Sequence, residues 1–289
     1  MSCGMASNMN PVLPVTTRFA PSPNGHLHLG HAFSAIVAHD IARDAGGTFL
    51  LRIEDIDGPR SKPEFADEFR RDLEWLGLEW IEVPPQSTRL ESYSNAAEIL
   101  VSMGLAYRCS CTRREIAALP SRVGTDGLSY PGGCRGQQCG ADRLGQDRPA
   151  ALRLDIDATM EAVGECVWND EYAGSVIADP RLMGDVIVVR QDLPASYHLA
   201  VTLDDAADGV TLITRGKDLF ESTHIHRVLQ ELLRLPVPHW HHHELLLDED
   251  GEKLAKRRGS PSLAERRESG EDGLMLAEQL RLQKIAGGT

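Results

Sequence analysis

Arg18-Phe19-Ala20-Pro21-Ser22-Pro23-Asn24-Gly25-His26-Leu27-His28-Leu29-Gly30-His31 lies near the start of this 289-residue chain, and its reading decides the fold. Val15 to Ala20 is a short extended run, stopped by a Pro-Ser-Pro-Asn-Gly turn. Two histidines then flank Leu29-Gly30 where a helix begins, and Ala32 to Ala45 continues it to Gly46-Gly47. A helix start offers unpaired N–H groups and a partial positive charge, so this strand-turn-helix unit suits phosphate. Gly30 has no side chain and lets a flat base or a phosphate approach the backbone. His28 and His31 are placed to donate hydrogen bonds to phosphate as charge develops in a displacement. Taken alone, such a pair is equally an ordinary surface feature.

Working outward, Thr48 to Ile53 is β-branched and apolar, a strand candidate. Phe65, Phe69, Leu73 and Leu76 recur at three- and four-residue steps, giving an amphipathic helix before Gly77. A further helix is expected over Glu91 to Met103. This alternation predicts an α/β protein with a parallel sheet. From Cys109 to Arg148 the texture changes to crowded glycine, arginine and cysteine, the start of an insertion between two halves of the sheet. Strand-like runs return at Ala151 to Ile156, Val186 to Arg190, Leu199 to Leu203 and Val210 to Thr214. A helix is expected from Ser222 to Leu235, and one weak helix near Leu274 to Gln283.

The expected division is a flexible tail over 1–14, half a catalytic domain over 15–108 and an insertion over 109–180. The second half follows over 181–262, then a short C-terminal segment over 263–289, too little chain for another domain with its own core. No apolar run approaches the ~20 residues of a membrane span, and the first ten residues do not read as a secretory signal. Six cysteines in a chain of this size fit a reducing cytoplasm. The net charge of -13 disfavours indiscriminate nucleic-acid binding while allowing a local basic face. The densest basic run is Lys253-Leu254-Ala255-Lys256-Arg257-Arg258.

The opening stretch resembles the HIGH motif of class I aminoacyl-tRNA synthetases, in the Arg-Phe-Ala-Pro-Ser-Pro form of the glutamyl branch. Ile53-Glu54-Asp55-Ile56-Asp57, Tyr197-His198-Leu199-Ala200-Val201, Thr214-Arg215-Gly216 and Lys253-Leu254-Ala255-Lys256-Arg257 match later blocks of that branch in order. The resemblance runs from about Val15 to Arg258. It implies a Rossmann-type catalytic domain with a zinc-bearing insertion and a short C-terminal helical stem.

It also implies roles. His28, Gly30, His31 and Lys256 would meet ATP, with His28, His31, Lys253 and Lys256 as the catalytic set. Arg18 and Arg215 would face carboxylate oxygens of glutamate, Glu54 its ammonium, Tyr197 would supply a hydroxyl and Ser22 a further contact. A buried Arg215 favours glutamate over neutral glutamine, which would leave the guanidinium unpaired. A lysine such as Lys256 can meet departing pyrophosphate in the transition state. Two positions depart from the family pattern: His198 stands where asparagine is usual, and Ala255 where serine is usual. Losing one neutral hydrogen bond at Ala255 changes a rate only a few-fold, on the order of 1 kcal/mol.

Cys109-Ser110-Cys111 is by itself a weak metal signal. Zinc-bearing members of the glutamyl branch add a tyrosine and a third cysteine, and Tyr130 and Cys134 stand at that spacing. The resemblance therefore implies one structural zinc on Cys109, Cys111, Tyr130 and Cys134, with Cys139 a rival for the fourth place. The histidines at 239, 241, 242 and 243 cannot converge on a metal if they lie on a strand, because neighbours face opposite ways. His242 is the best match to a family histidine close to the nucleotide.

With little chain after Arg258, the resemblance is to the family members without an anticodon-binding domain. These activate glutamate with ATP and magnesium and transfer it to queuosine in tRNA-Asp. A cytoplasmic monomer without a membrane is expected, with a truncated synthetase charging a tRNA 3′ end or a non-catalytic paralogue as alternatives.

Overall fold

Thr16–Phe19 forms β1, which runs parallel to Thr48–Leu51 (β2), and β2 runs parallel to Ile81–Glu82 (β3). The computed structural model describes residues 14–118, 123–124, 127–128, 130, 132–136, 149–246 and 261–286. Leu29–Asp44 (α1) connects β1 to β2, and Pro63–Trp75 (α2) lies between β2 and β3. The return from α1 is tight: a Cβ on Gly47 would sit 2.0 Å from the Val15 carbonyl oxygen, so only glycine fits. Leu90–Ser102 (α3) leads to Ala106–Cys109 (β4), and Arg113–Ala117 (α4) follows. Val123–Gly124 (β5) pairs antiparallel with Gly127–Leu128 (β6). Ala151–Leu154 (β7) pairs antiparallel with β4 on one side and with Ile187–Val189 (β10) on the other.

Ile156–Val163 (α5) precedes Val167–Asp170 (β8) and Gly174–Ile177 (β9), an antiparallel pair. Tyr197–Ala207 (α6) leads to Leu212–Gly216 (β11), Ser222–Leu233 (α7) and His239–His243 (β12). β11, β12 and β8 are parallel neighbours. The two parallel sets meet where Thr211 N–H donates to the Thr16 carbonyl at 3.0 Å. The order therefore reverses between β1 and β11. In open parallel sheets such a switch point, at the strands' carboxyl ends, is where ligands bind.

One apolar core lies under α1 and α2 and includes Phe33, Ile36, Phe69 and Leu73. Leu263, Leu276 and Leu280 from Leu263–Glu268 (α8) and Gly273–Ala286 (α9) pack into it. Arg267 pairs with the buried Asp72 at 3.1 Å and Arg281 with Asp40 at 2.9 Å, which ties the C-terminal helices down. A second core gathers Leu100, Leu154, Trp168, Trp240 and Val228. Among the described residues no helix is long and apolar enough to cross a membrane.

The structure corrects one expected element. Leu199 to Leu203 is not a strand but the middle of α6. A short, mostly apolar run suits either state, and here Leu199 and Ala200 face cores while Asp204 and Asp205, one turn later, point into a buried charge cluster. α5, β8, β9 and α8 were not expected from periodicity, being short and polar on one face.

Candidate active site

A cleft of about 510 Å³ opens where β1 and β11 end. Arg18, Ser22, His28, Gly30, His31, Glu54, Tyr197 and Arg215 all line it, so the structure brings these sequence-derived candidates together. Lys253, Ala255 and Lys256 lie outside the described residues, as do Cys139 and the tail over 1–13.

The turn after β1 is pinned on both sides: Glu54 N–H donates to the Pro21 carbonyl (3.1 Å) and Leu263 N–H to that of Leu27 (2.8 Å). His28 then caps α1. Its Nδ1 accepts from Gly30 N–H at 3.1 Å, and Nδ1 of His31 accepts from His28 N–H at 3.2 Å. The two rings stack with centroids 3.8 Å apart. Burial lowers the pKa of His28, and burial with the neighbouring ring lowers His31 to about 4. Both imidazoles are therefore neutral near pH 7, and with Nδ1 accepting, each carries its proton on Nε2. They are neutral donors at a helix N-terminus, a suitable partner for a phosphate chain.

On the other side of the cleft, guanidinium and carboxylate groups form a buried network. Arg18 donates from Nε and Nη2 to Asp205 at 2.9 and 3.2 Å, and from Nη1 to the Thr214 carbonyl at 3.1 Å. Fully buried Arg52 meets Glu54 (3.2 Å), Asp205 (2.9 Å) and Asp208 (2.9 Å). Burial would raise Asp205, but Arg18 and Arg52 outweigh it and hold the carboxyl below its usual value. Glu54 differs: burial dominates and pushes it up to about 7, against the pull of Arg52 and Arg18.

Arg215 is 5% exposed, and its side-chain hydrogen bonds go to uncharged groups. Nε donates to His242 Nε2 (3.1 Å) and Nη1 meets Tyr197 Oη (3.4 Å) and His226 Nδ1 (3.2 Å). Nη2 donates to Thr223 Oγ1. Among the described residues no carboxylate forms an ion pair with it. His242 lies against Arg215, and a strand register that pairs the two residues puts it there. The remaining strand histidines diverge as expected, His241 to Glu171 and His243 to Ser34.

Away from the cleft, Cys109, Cys111 and Cys134 hold their sulfurs within 4.8 Å of one another. Cys134 Sγ lies 3.4 Å from Cys111 and 3.7 Å from Cys109, and Tyr130 Oη is 2.9 Å from Cys134. Two sulfurs at ~2.3 Å on one tetrahedral zinc lie about 3.8 Å apart, so three thiols and a phenol in this arrangement fit that ion. Burial and Cys134 push the Cys111 thiol up to about 11, so a divalent cation would displace protons on entering. Arg153 lies over the Tyr130 ring at 4.0 Å.

Sequence reasoning missed Asp205, Arg52, Thr223 and His226. The first two carry a faint signal, acids and an arginine inside otherwise apolar runs. The last two carry none, being polar positions of an amphipathic helix.

Comparison with known proteins agrees with this geometry. Residues 14–285 match the family described as tRNA synthetases class I (E and Q), catalytic domain. A glutamyl-Q tRNA(Asp) synthetase from Rhodobacter capsulatus is 49% identical over 269 residues, 88% of this chain and 95% of that protein. A glutamate–tRNA ligase from Oleidesulfovibrio alaskensis is 40% identical, over 89% of this chain and 54% of the ligase. The crystal structure of a glutamate-tRNA synthetase from Elizabethkingia anophelis superposes with a TM-score of 0.68 at 24% identity. That match covers 89% of this chain and 54% of that one, so the chain spans about half its length. With a Rossmann-type sheet, a HIGH-like helix start and these relatives, the chain belongs to the class I tRNA synthetases for E and Q, a ligase family that includes the glutamyl-Q tRNA(Asp) synthetases.

Proposed function

We propose that the cleft activates glutamate with ATP and that the activated glutamyl group passes to queuosine in tRNA-Asp. The observation that carries the first part is Arg215, a buried guanidinium at the cleft wall without a carboxylate partner among the described residues. Such a charge is costly until an anion pairs with it. A glutamate side chain supplies that anion, Glu54 meets the ammonium, and Arg18, with an N–H left on each terminal nitrogen, completes the grip with Ser22 and Tyr197.

An oxygen of the glutamate α-carboxylate attacks the α-phosphorus of ATP. The bond to the bridging oxygen breaks, and pyrophosphate leaves with that electron pair. Neutral His28 and His31 donate from Nε2 to the phosphates without repelling magnesium, and Lys253 and Lys256 meet the leaving group's charge. A queuosine hydroxyl then attacks the activated carbonyl, the acyl–oxygen bond to the phosphate breaks, and AMP departs as its phosphate oxygen takes up the hydroxyl proton. Zinc on Cys109, Cys111, Tyr130 and Cys134 would supply only cross-linking to the inserted segment over 109–180.

The queuosine acceptor rests on similarity to proteins of that name at 49% identity over 95% of the relative's length. A second reading, charging of a tRNA 3′ end, is favoured by the 40% identity to a glutamate–tRNA ligase. Glutamate-dependent ATP–pyrophosphate exchange without tRNA tests the activation. Labelled glutamate should then enter queuosine-bearing tRNA-Asp but not the same tRNA carrying guanosine there. Charging of unmodified tRNA-Glu would establish the second reading instead.

A further inference from the structure

Three elements converge on Arg215 of β11: Tyr197 and His198 come from α6, Thr223 and His226 from α7, and His242 from β12. Each ring nitrogen facing the guanidinium is an acceptor whose proton is taken up elsewhere. Asp170 Oδ2 lies 2.7 Å from His242 Nδ1, which leaves the Nε2 lone pair for Arg215. Asp170 is held in turn by accepting from the backbone N–H groups of Tyr172 and Ala173 in the β8–β9 turn. His226 Nε2 lies 3.2 Å from His198 Nδ1, so His226 donates outward to His198 and accepts from Arg215 on Nδ1. Nearby Asp205 is engaged by Arg18 and Arg52 instead.

We propose that His198, His226 and His242, with Thr223, determine specificity by fixing Arg215 through uncharged acceptors and leaving its charge to be met by an acidic substrate side chain. This rests on reading the cleft as a glutamate site. A carboxylate in any of these places would orient the guanidinium equally well but satisfy it internally, and a neutral amide substrate would then lose little.

A guanidinium has five N–H donors. His242, His226 and Thr223 take one each, and Tyr197 takes a fourth at the longest distance, 3.4 Å. Tyr197 is also 40% exposed. One Nη2–H and the loosely held Nη1–H therefore remain for an incoming carboxylate. Burial and Arg215 lower the pKa of all three histidines, His198 and His242 to about 4, which agrees with their acting as neutral acceptors.

Thr223→Asp, nearly isosteric, and His226→Glu each place a carboxylate against Arg215. His226→Asn keeps a neutral acceptor where Nδ1 stood. Exchange kinetics with glutamate and with glutamine, on purified full-length protein checked by thermal unfolding, read the outcome. Both acidic variants should raise the KM for glutamate and lower the glutamate-to-glutamine ratio of kcat/KM on the order of 100-fold. His226→Asn should keep that ratio within about tenfold. An unchanged ratio in either folded acidic variant, with wild-type exchange on glutamate intact, overturns the cradle and leaves the glutamate site standing. Wild-type discrimination below about tenfold overturns it without any variant. Absence of glutamate-dependent exchange in the wild type removes the site reading itself, and the cradle with it.

Discussion

Glu54 gives the cleft a proton count that can be measured. Its carboxyl is buried beside Arg52 at 3.2 Å, and burial pushes it up to about 7. The substrate ammonium needs the carboxylate, so binding must expel whatever proton is there. At pH 6 roughly nine tenths of the ligand-free protein holds that proton, and at pH 8 roughly one tenth. Glutamate binding should therefore release about 0.9 proton at pH 6 and about 0.1 at pH 8, and the Kd should rise about tenfold from pH 8 to pH 6. Calorimetry in two buffers of different ionisation enthalpy reads the protons directly.

The sign for stability is opposite in sense. Because the folded pKa is raised, this group's contribution is present below the ordinary carboxylate range and fades as pH rises through about 7. Glu54→Gln should flatten both profiles. His31, His198 and His242, lowered to about 4, do not titrate in this window. A proton release below about 0.2 at pH 6, with the Kd unchanged between pH 6 and 8, would refute Glu54 as the ammonium partner.

Three other outcomes are expected. Protein purified without added metal should contain about one zinc per chain, and Cys134→Ser should lower that content, as a closed four-ligand site requires; zinc lost only with Cys139→Ser would move the fourth ligand. A Cβ at Gly30 would meet the His28 ring at 3.1 Å, so Gly30→Ala should reduce the exchange kcat by on the order of tenfold while leaving the melting temperature unchanged or slightly higher, since alanine favours helix. Asp205→Asn removes the carboxylate shared by Arg18 and Arg52 and should destabilise the fold by about 3 kcal/mol, read from denaturant unfolding.

How far the fold was legible follows from which signals are local. β1, α1, β2, α2 and α3 are each specified by their own residues: the Pro-Ser-Pro turn, the Gly46-Gly47 stop and the spacing of Phe69 and Leu73. Their expected and observed bounds differ by a few residues. α6 failed because Leu199 to Leu203 has no period of its own; the helix exists because Leu199 packs into a core while Asp204 and Asp205 turn toward Arg52, contacts made with distant strands. β8 and β9 depend likewise on β12 beside them and on Asp170 closing their turn.

The site divides along the same line. His28, Gly30 and His31 are neighbours in sequence, and their chemistry is written in the helix start they form. Arg215 was legible as a cation, but its isolation was not, because isolation belongs to everything that surrounds it. His226, Thr223 and His242 reach it from two different elements, and no pattern along either predicts that the acceptors there are neutral. Yet that neutrality decides what the arginine can do. Beside carboxylates on every side, as with Arg52 among Glu54, Asp205 and Asp208, a guanidinium is a structural tie. Among histidines and a threonine it remains a charge waiting for a ligand, so here the substrate preference is set by residues that need not touch the substrate.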